Sequence, residues 1–442
     1  MRLYHFIPVA AACIALDSLT VTAQTDLLAG QAISIRSIDP SDDDFSDLEP
    51  LIPLIGDARV VQLGEQTHGD GAAFLAKIRL VRFLHRRMGF DVLVWESGMF
   101  DCRVVDEKLR EGVPTMEAHA HGVFPIWRES AQVRPLLDYV AESHAADRPI
   151  ATAGMDTQFT SDHGTGEWAR RVRAHFAEAG VPLSPDADAA LRCFAPSGVE
   201  AFGAVIAGEI GEDTKRGLEA LAMDAAASRT DRIARHGEPE ADFFARVIDD
   251  MREWIRFAEG NVRGAPLNNI RDARMGDNLA WLADEYYKGR RLIVWEATMH
   301  ALHRASEIET GLPFTYDNTL TAGERARSIL GDAIFTVGFT AARGTAARLN
   351  MAPSRIDPPR EGSLEAAALA TGRRFLWIDF RSAPPDHPLR TRLCARPLGY
   401  APMHAVWPDQ MDAMLYTEEM FPSTTGPLHP AAYRLLDEGF GN

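Results

Sequence analysis

The chain has 442 residues, 63 acids against 46 lysines and arginines, a formal net charge of −17 and 46% hydrophobic residues. The apolar content suffices for one large domain or two ordinary ones, and without a basic run the electrostatic footprint of a nucleic-acid binder is missing. Four scattered cysteines (Cys13, Cys102, Cys193, Cys394) lack CxxC spacing, which argues against a structural zinc site or a disulfide framework. They read as buried free thiols, with one bridge left open if the chain is exported.

The opening MRLYHFIPVAAACIALDSLTVTAQTD places Arg2 before an apolar run from Tyr4 to Leu16 and then the small residues Val21-Thr22-Ala23. This pattern predicts a signal peptide over residues 1–23 and a periplasmic or secreted protein. The run is too short to span a bilayer, so no stable membrane insertion is expected. SDDDFSDLE (41–49) reads as a helix start feeding LEPLIPLIG.

RVVQLG (59–64) predicts a buried strand and residues 71–88 an amphipathic helix, with Phe74, Ile78, Val81, Leu84 and Met88 on one face and Gly89 at its end. FDVLVWE (90–96) is the next strand, and such a β-α-β unit implies parallel strands with a right-handed crossover. A helix around 130–145 leads into PIATAGMD (149–156), and a helix around 268–288 into RLIVWEATMH (291–300). Further strands are predicted near 334–339, 375–379 and 412–417. Between about 165 and 262 the spacing is helical only, as in Phe243, Val247, Met251 and Ile255. The expected fold class is therefore α/β: a mainly parallel sheet flanked by helices, with an all-helical insertion.

Polar groups recur at the strand ends. Glu65 and His68 lie in GEQTHGDG after the first strand, Glu96 closes the second, Asp156 the third, Glu296 and His300 the fourth, and Asp379 and Arg381 another. In a parallel sheet the carboxyl ends share one edge, where ligands bind. An imidazole between carboxylates suits proton abstraction from water, because one carboxylate fixes the tautomer and stabilises the imidazolium. A further histidine, or a cation such as Lys77, can stabilise an oxyanion. No GxSxG elbow suggests a serine nucleophile.

GEQTHG, KIRLVRFLHRRMGF, VLVWESG, IWRES (126–130), AGMD (153–156), NIRDARMGDNLAWL (269–282), LIVWEATMH (292–300), LGDAIFTVGFT (330–340) and GSLEAAA (362–368) together resemble the erythromycin esterase family, in the family's order. The resemblance implies hydrolysis of an ester or lactone, in the type enzymes a macrolactone, with His68 matching the water-activating histidine and Glu65 and Glu96 its flanking acids. It also implies a W-x-H-x-x-H pattern. Here Trp295 and His300 match, but Ala297 replaces the first histidine. Lys77 stands where an arginine is expected, keeping the charge but losing the planar fork.

The site expected from these readings is catalytic His68, Glu65 and Glu96, with His300, Lys77, Asp156 and Glu296 auxiliary or substrate-binding. No cofactor or metal is expected, and the partner is a small-molecule ester. The structural readings set beside these are ordinary ones. His68 alone could be a bonded turn histidine, Lys77 a solvated or paired lysine, and Arg271 and Asp272 a helix opening. Trp95, Trp127 and Trp295 could be core residues. Burial of Glu96 beside other carboxylates is expected to raise its pKa. Two alternatives to a metal-free esterase stand beside it: a ligand-binding protein impaired by Ala297, and a metal-assisted hydrolase using Glu65, His68, Glu96 and His300, for which no HExxH pair is present.

Overall fold

The computed structural model describes residues 27–161, 164–194, 203–262, 268–347, 352–430 and 432. The expected signal peptide and Cys13 lie outside the described residues. Eleven strands are β1 (Ala32–Ser34), β2 (Val60–Glu65), β3 (Val92–Gly98), β4 (Ala151–Asp156), β5 (Leu292–Ala297), β6 (Ile334–Ala346), β7 (Ser354–Arg355), β8 (Phe375–Asp379), β9 (Leu393–Ala395), β10 (Met403–Ala405) and β11 (Ala413–Met420). The main sheet runs β1-β8-β11-β6-β2-β5-β3-β4, with β7 on the far end of β6. From β11 to β4 every pairing is parallel, whereas β8 is antiparallel to both β11 and β1.

The strand side chains alternate between two cores, as the pleat requires. Leu63, Leu93, Trp95, Ile293 and Trp295 enter one core together with Phe74, Ile78, Val81 and Leu84 of helix α1 (Gly71–Met88). Gly89 ends that helix at φ 74°, in the left-handed region, and its N–H bonds the Leu84 carbonyl. Val60, Val92, Val94, Leu292 and Val294 enter the opposite core. That second core continues without a break into Trp168, Phe194, Leu221, Phe243, Val247, Met251 and Met275. These belong to the helices Gly164–Glu178, Pro185–Phe194, Glu212–Ala227, Glu238–Val262 and α2 (Asn268–Trp281), and no strand separates β4 from β5 among the described residues. Helix α2 passes into a single π-type turn, Leu282–Tyr286, short of the expected 288.

Three expectations are corrected. The acids of 41–49 do not open a helix; the helix begins only at Leu51. They form an ionic clamp: both oxygens of Asp47 accept from Arg79 at 2.7 and 2.8 Å, Arg36 pairs with Asp42 and Asp44, and Arg82 with Asp43. Arg79 lies on α1 and is 1% exposed, so its charge must be met locally, and the loop's acids meet it. Second, Cys193 is exposed while Cys102 and Cys394 are buried, and all three are free. Third, β8 runs against its neighbour, so Asp379 pairs with Ala413 at the start of β11. Asp379 and Arg381 therefore sit on the opposite sheet edge from the other strand-end groups.

Candidate functional site

The turn after β2 is built for close approach. A Cβ on Gly64 would come within 2.6 Å of the Thr298 Cα, so only glycine lets the chain after β5 cross this strand end. Asp70, fully enclosed, accepts from the Thr67 N–H at 2.7 Å and its hydroxyl at 3.0 Å, closing the turn on itself. Burial pushes the Asp70 carboxyl up to about 7. Ser423 N–H bonds the Gly69 carbonyl and Gly71 N–H that of Phe421, so β11's exit braces the turn from behind.

Glu65 has no exposed surface and carries three bonds. Its Oε1 lies 3.1 Å from His68 Nδ1 and accepts from Trp127 Nε1 at 3.1 Å, while Oε2 accepts from the Lys77 ammonium. Lys77 is equally enclosed; it reaches the Glu296 carbonyl at 3.2 Å and sits 4.0 Å from the Trp295 ring centroid. Burial pushes the Lys77 pKa down, against the pull of Glu65. His68 packs edge-on against Trp127 and keeps 23% of its side chain exposed. It bonds the protein through Nδ1, and its Nε2 makes no such bond among the described residues.

Across β5 lies a closed ionic network. Glu96 Oε1 accepts from Arg271 Nη2 at 3.0 Å and lies 3.1 Å from His300 Nε2; Oε2 accepts from the Ala297 N–H at 2.9 Å. Arg271 forks onto Asp156 at 2.6–3.2 Å. His300 Nδ1 donates to Asp272 at 2.5 Å. Burial works to raise the Glu96 pKa, but His300, His68 and Arg271 outweigh it and hold the carboxyl well below its usual range. The expected rise is thus reversed, because the neighbours of Glu96 are cations rather than carboxylates. Burial likewise lowers His300, yet Asp272 and Glu96 hold it well above 6.5, as an imidazolium.

The predicted residues do converge. Strand β5 lies between β2 and β3, and Ala297 is in register with Glu65 while its N–H binds Glu96. Ala297 therefore lies between the Glu65 and Glu96 carboxylates, and its peptide is held at both ends, by Lys77 on the Glu296 carbonyl and by Glu96 on the Ala297 N–H. Of the four auxiliary residues, only His300 retains any surface, at 8%; Lys77, Asp156 and Glu296 have none. They hold other side chains in place. His303 bonds Thr336 and His119 the Thr115 carbonyl, both away from the carboxylates.

Three members of the site were not anticipated. Arg271 and Asp272, read as a helix opening, instead bridge Glu96, Asp156 and His300, and Trp127, read as core, donates to Glu65. Among the described residues no group of three His, Cys, Asp or Glu side chains has metal-holding geometry. The carboxylates of Glu65 and Glu96 face Lys77, Arg271 and His300 instead. A surface hollow of about 760 Å³ lies elsewhere, between Arg343, Ile356, Pro358 and Phe421.

Comparison with known proteins bears on the family and the fold. The erythromycin esterase family profile matches residues 85–420, a span that begins within α1 and so downstream of Glu65 and His68. YbfO of Bacillus subtilis (strain 168), a hydrolase by provisional name, is 24% identical over 421 residues, covering 88% of this chain and 90% of its own. Erythromycin esterase type II of Escherichia coli is 22% identical over 379 residues, covering 78% and 86%. Among solved structures, a Bacillus cereus protein superposes with a TM-score of 0.74 at 16% identity, covering 92% of this chain and 99% of its own. A mutant of the erythromycin esterase EreC in its open conformation gives 0.66 at 16% identity, covering 88% and 98%. At these identities the structural likeness speaks for the fold.

Proposed function

The chain belongs to the erythromycin esterase family, and from that premise we propose that it hydrolyses a small organic ester or lactone with water activated by His68. Family membership supports hydrolysis of esters; the base, its partners and the substrate class are our reading. The observation that carries it is the pairing of a partly open imidazole with an enclosed carboxylate: His68 Nδ1 lies 3.1 Å from Glu65 Oε1, and Nε2 makes no bond to the protein among the described residues.

A hydrogen on Nδ1, donated to Glu65, makes Nε2 the basic nitrogen. That nitrogen takes a proton from water as the oxygen attacks the ester carbonyl, and the imidazolium formed is stabilised by Glu65. Lys77 and Trp127 prevent Glu65 from turning away. The developing oxyanion needs nearby positive charge, for which His300 and Arg271 are the candidates. The proton on His68 then passes to the leaving alkoxide, which regenerates the base. Secretion to the periplasm or beyond remains part of the proposal, on the N-terminal sequence alone.

The test compares purified native protein with His68→Ala on aryl esters, lactones and macrolides, with and without chelator. Hydrolysis by the native protein, lost in the variant and indifferent to chelator, is the expected result. Loss of activity on chelation, restored by one ion, favours metal assistance. A folded native protein inert on every ester favours the reading in which Ala297 leaves a binding protein without catalysis.

A further inference from the structure

Glu296 and Glu96 are equally buried carboxyls on adjacent strands, but their surroundings differ in kind. Glu96 meets an arginine, an imidazolium and a backbone N–H. Glu296 meets one neutral donor: its Oε1 accepts from Gln62 Nε2 at 2.9 Å, and its Oε2 is enclosed with no partner among the described residues. That amide is oriented from behind, since the Thr336 hydroxyl donates to Gln62 Oε1 at 2.8 Å and His303 Nε2 lies 2.9 Å from the same hydroxyl. Burial lowers the His303 pKa to about 3, so its ring is neutral and its Nε2–H points at Thr336. The chain of donors thus ends on Glu296 without delivering charge to it.

Among the described residues, the charged groups that act most on Glu296 are Glu96, His300 and Lys77, with Glu65 beside Lys77. Helix α1 brings Lys77, β2 brings Glu65, β3 brings Glu96, and the turn after β5 brings His300. His300 is committed to Asp272 and Glu96, and Lys77 bonds Glu65 with its ammonium and only the backbone carbonyl of Glu296. An ionised Glu296 would keep a buried, unpaired oxygen and would compete with Glu65 for one ammonium.

We propose that Glu296 stands as a neutral carboxylic acid and is a positioning residue, its neutrality leaving Lys77 to Glu65 and so keeping Glu65 on His68. The consequence for His68 rests on the hydrolytic reading; the protonation of Glu296 does not. Burial, with the negative charge of Glu96, raises its pKa to about 8 against the pull of His300 and Lys77. Ionisation then draws Lys77 toward Glu296 and slackens the hold on Glu65, which sets an alkaline limit to the site. A neutral acid beside a position that lost its histidine is a feature of this chain's own residues, Glu296 and Ala297.

Infrared spectroscopy of the substrate-free full chain tests the first half. The native protein should show a protonated-carboxyl component that disappears as pH rises through about 8, above the Asp70 and Asp101 carboxyls near 7, and that component should be missing from Glu296→Gln. An identical band in both proteins overturns the proposal. Should Glu296→Gln not fold, Gln62→Leu removes the amide donor that favours the anion, and the midpoint must move up; an unmoved midpoint is equally fatal. For the second half, the alkaline fall of kcat/KM on an aryl ester should shift to higher pH in Glu296→Gln, and an unshifted fall overturns the positioning role. A native protein with the titrating band but no esterase activity upholds the neutral acid while failing the hydrolytic reading.

Discussion

The two halves of the site meet at the carboxyl edge of the sheet from its opposite faces. On the α1 side, Lys77 and Trp127 secure Glu65, and Glu65 secures His68, whose second nitrogen stays unspent. On the α2 side, Arg271, Asp156, Glu96, His300 and Asp272 bind one another until none of this half's three carboxylates lacks a partner. A catalytic base needs spare bonding capacity and contact with water; a buried ionic support needs saturation, because buried ions left unpaired are costly. Between the halves stands Ala297, whose N–H belongs to the closed half and whose preceding carbonyl belongs to the open one.

This comparison can be broken from either side. The largest effect is expected from Arg271→Met, which strands Glu96 and Asp156 together in the interior. Loss of about 3–5 kcal/mol is expected on the scale of a broken buried pair, read by denaturant titration; a loss below 1 kcal/mol would mean that the closed half is not held by its charges. Lys77→Met should cost somewhat less, about 3 kcal/mol, since Glu65 keeps its indole donor. It should also lower esterase activity, whereas a stable and fully active variant would sever Lys77 from the His68 pair. Trp127→Phe keeps most of the packing and removes only the donor to Glu65, for about 1.5 kcal/mol. A loss as large as that of Lys77→Met would show the ring's bulk to be the important part.

The pH response sharpens the contrast. Glu96 has its folded pKa depressed, so its contribution is present above 4.5, the usual carboxyl value, and is lost as pH falls through the lower folded value. His300 has its folded pKa raised, so its contribution is full below 6.5 and is lost as pH rises through the higher folded value. Stability from the closed half should therefore be greatest between 4.5 and 6.5 and decline on both sides. Thermal midpoints across pH check this against Arg271→Met, in which the maximum should flatten.

Much of the architecture was legible because strand ends and helix periods are local properties. The run Phe74, Ile78, Val81, Leu84 and Met88 predicted α1, and the polar groups closing 59–65, 90–96, 149–156 and 291–300 predicted a shared edge. Strand direction is not local: nothing in FLWID distinguishes a parallel strand from the antiparallel β8, so Asp379 was assigned to the wrong edge. Arg271 and Asp272 were hidden because an acid opening a helix has a sufficient local explanation, and only the packing of α2 against β4 brings Arg271 to Asp156. Trp127 was hidden by its own bulk, since one indole can fill a core and donate a bond. The rise expected for Glu96 was reversed for the same reason: its sign depends on which charges the fold brings near.

The central claim is that Glu65 acts through His68, and a double-mutant cycle on hydrolysis addresses it most directly. Native protein, His68→Ala, Glu65→Gln and the double variant would be compared by kcat/KM on one aryl ester, with folding checked by circular dichroism. His68→Ala should lose about 10²–10⁴-fold, the range of a general base, and adding Glu65→Gln should cost almost nothing more, because the two work as one unit. Multiplying losses, or a His68→Ala variant as active as the native protein, would contradict the account.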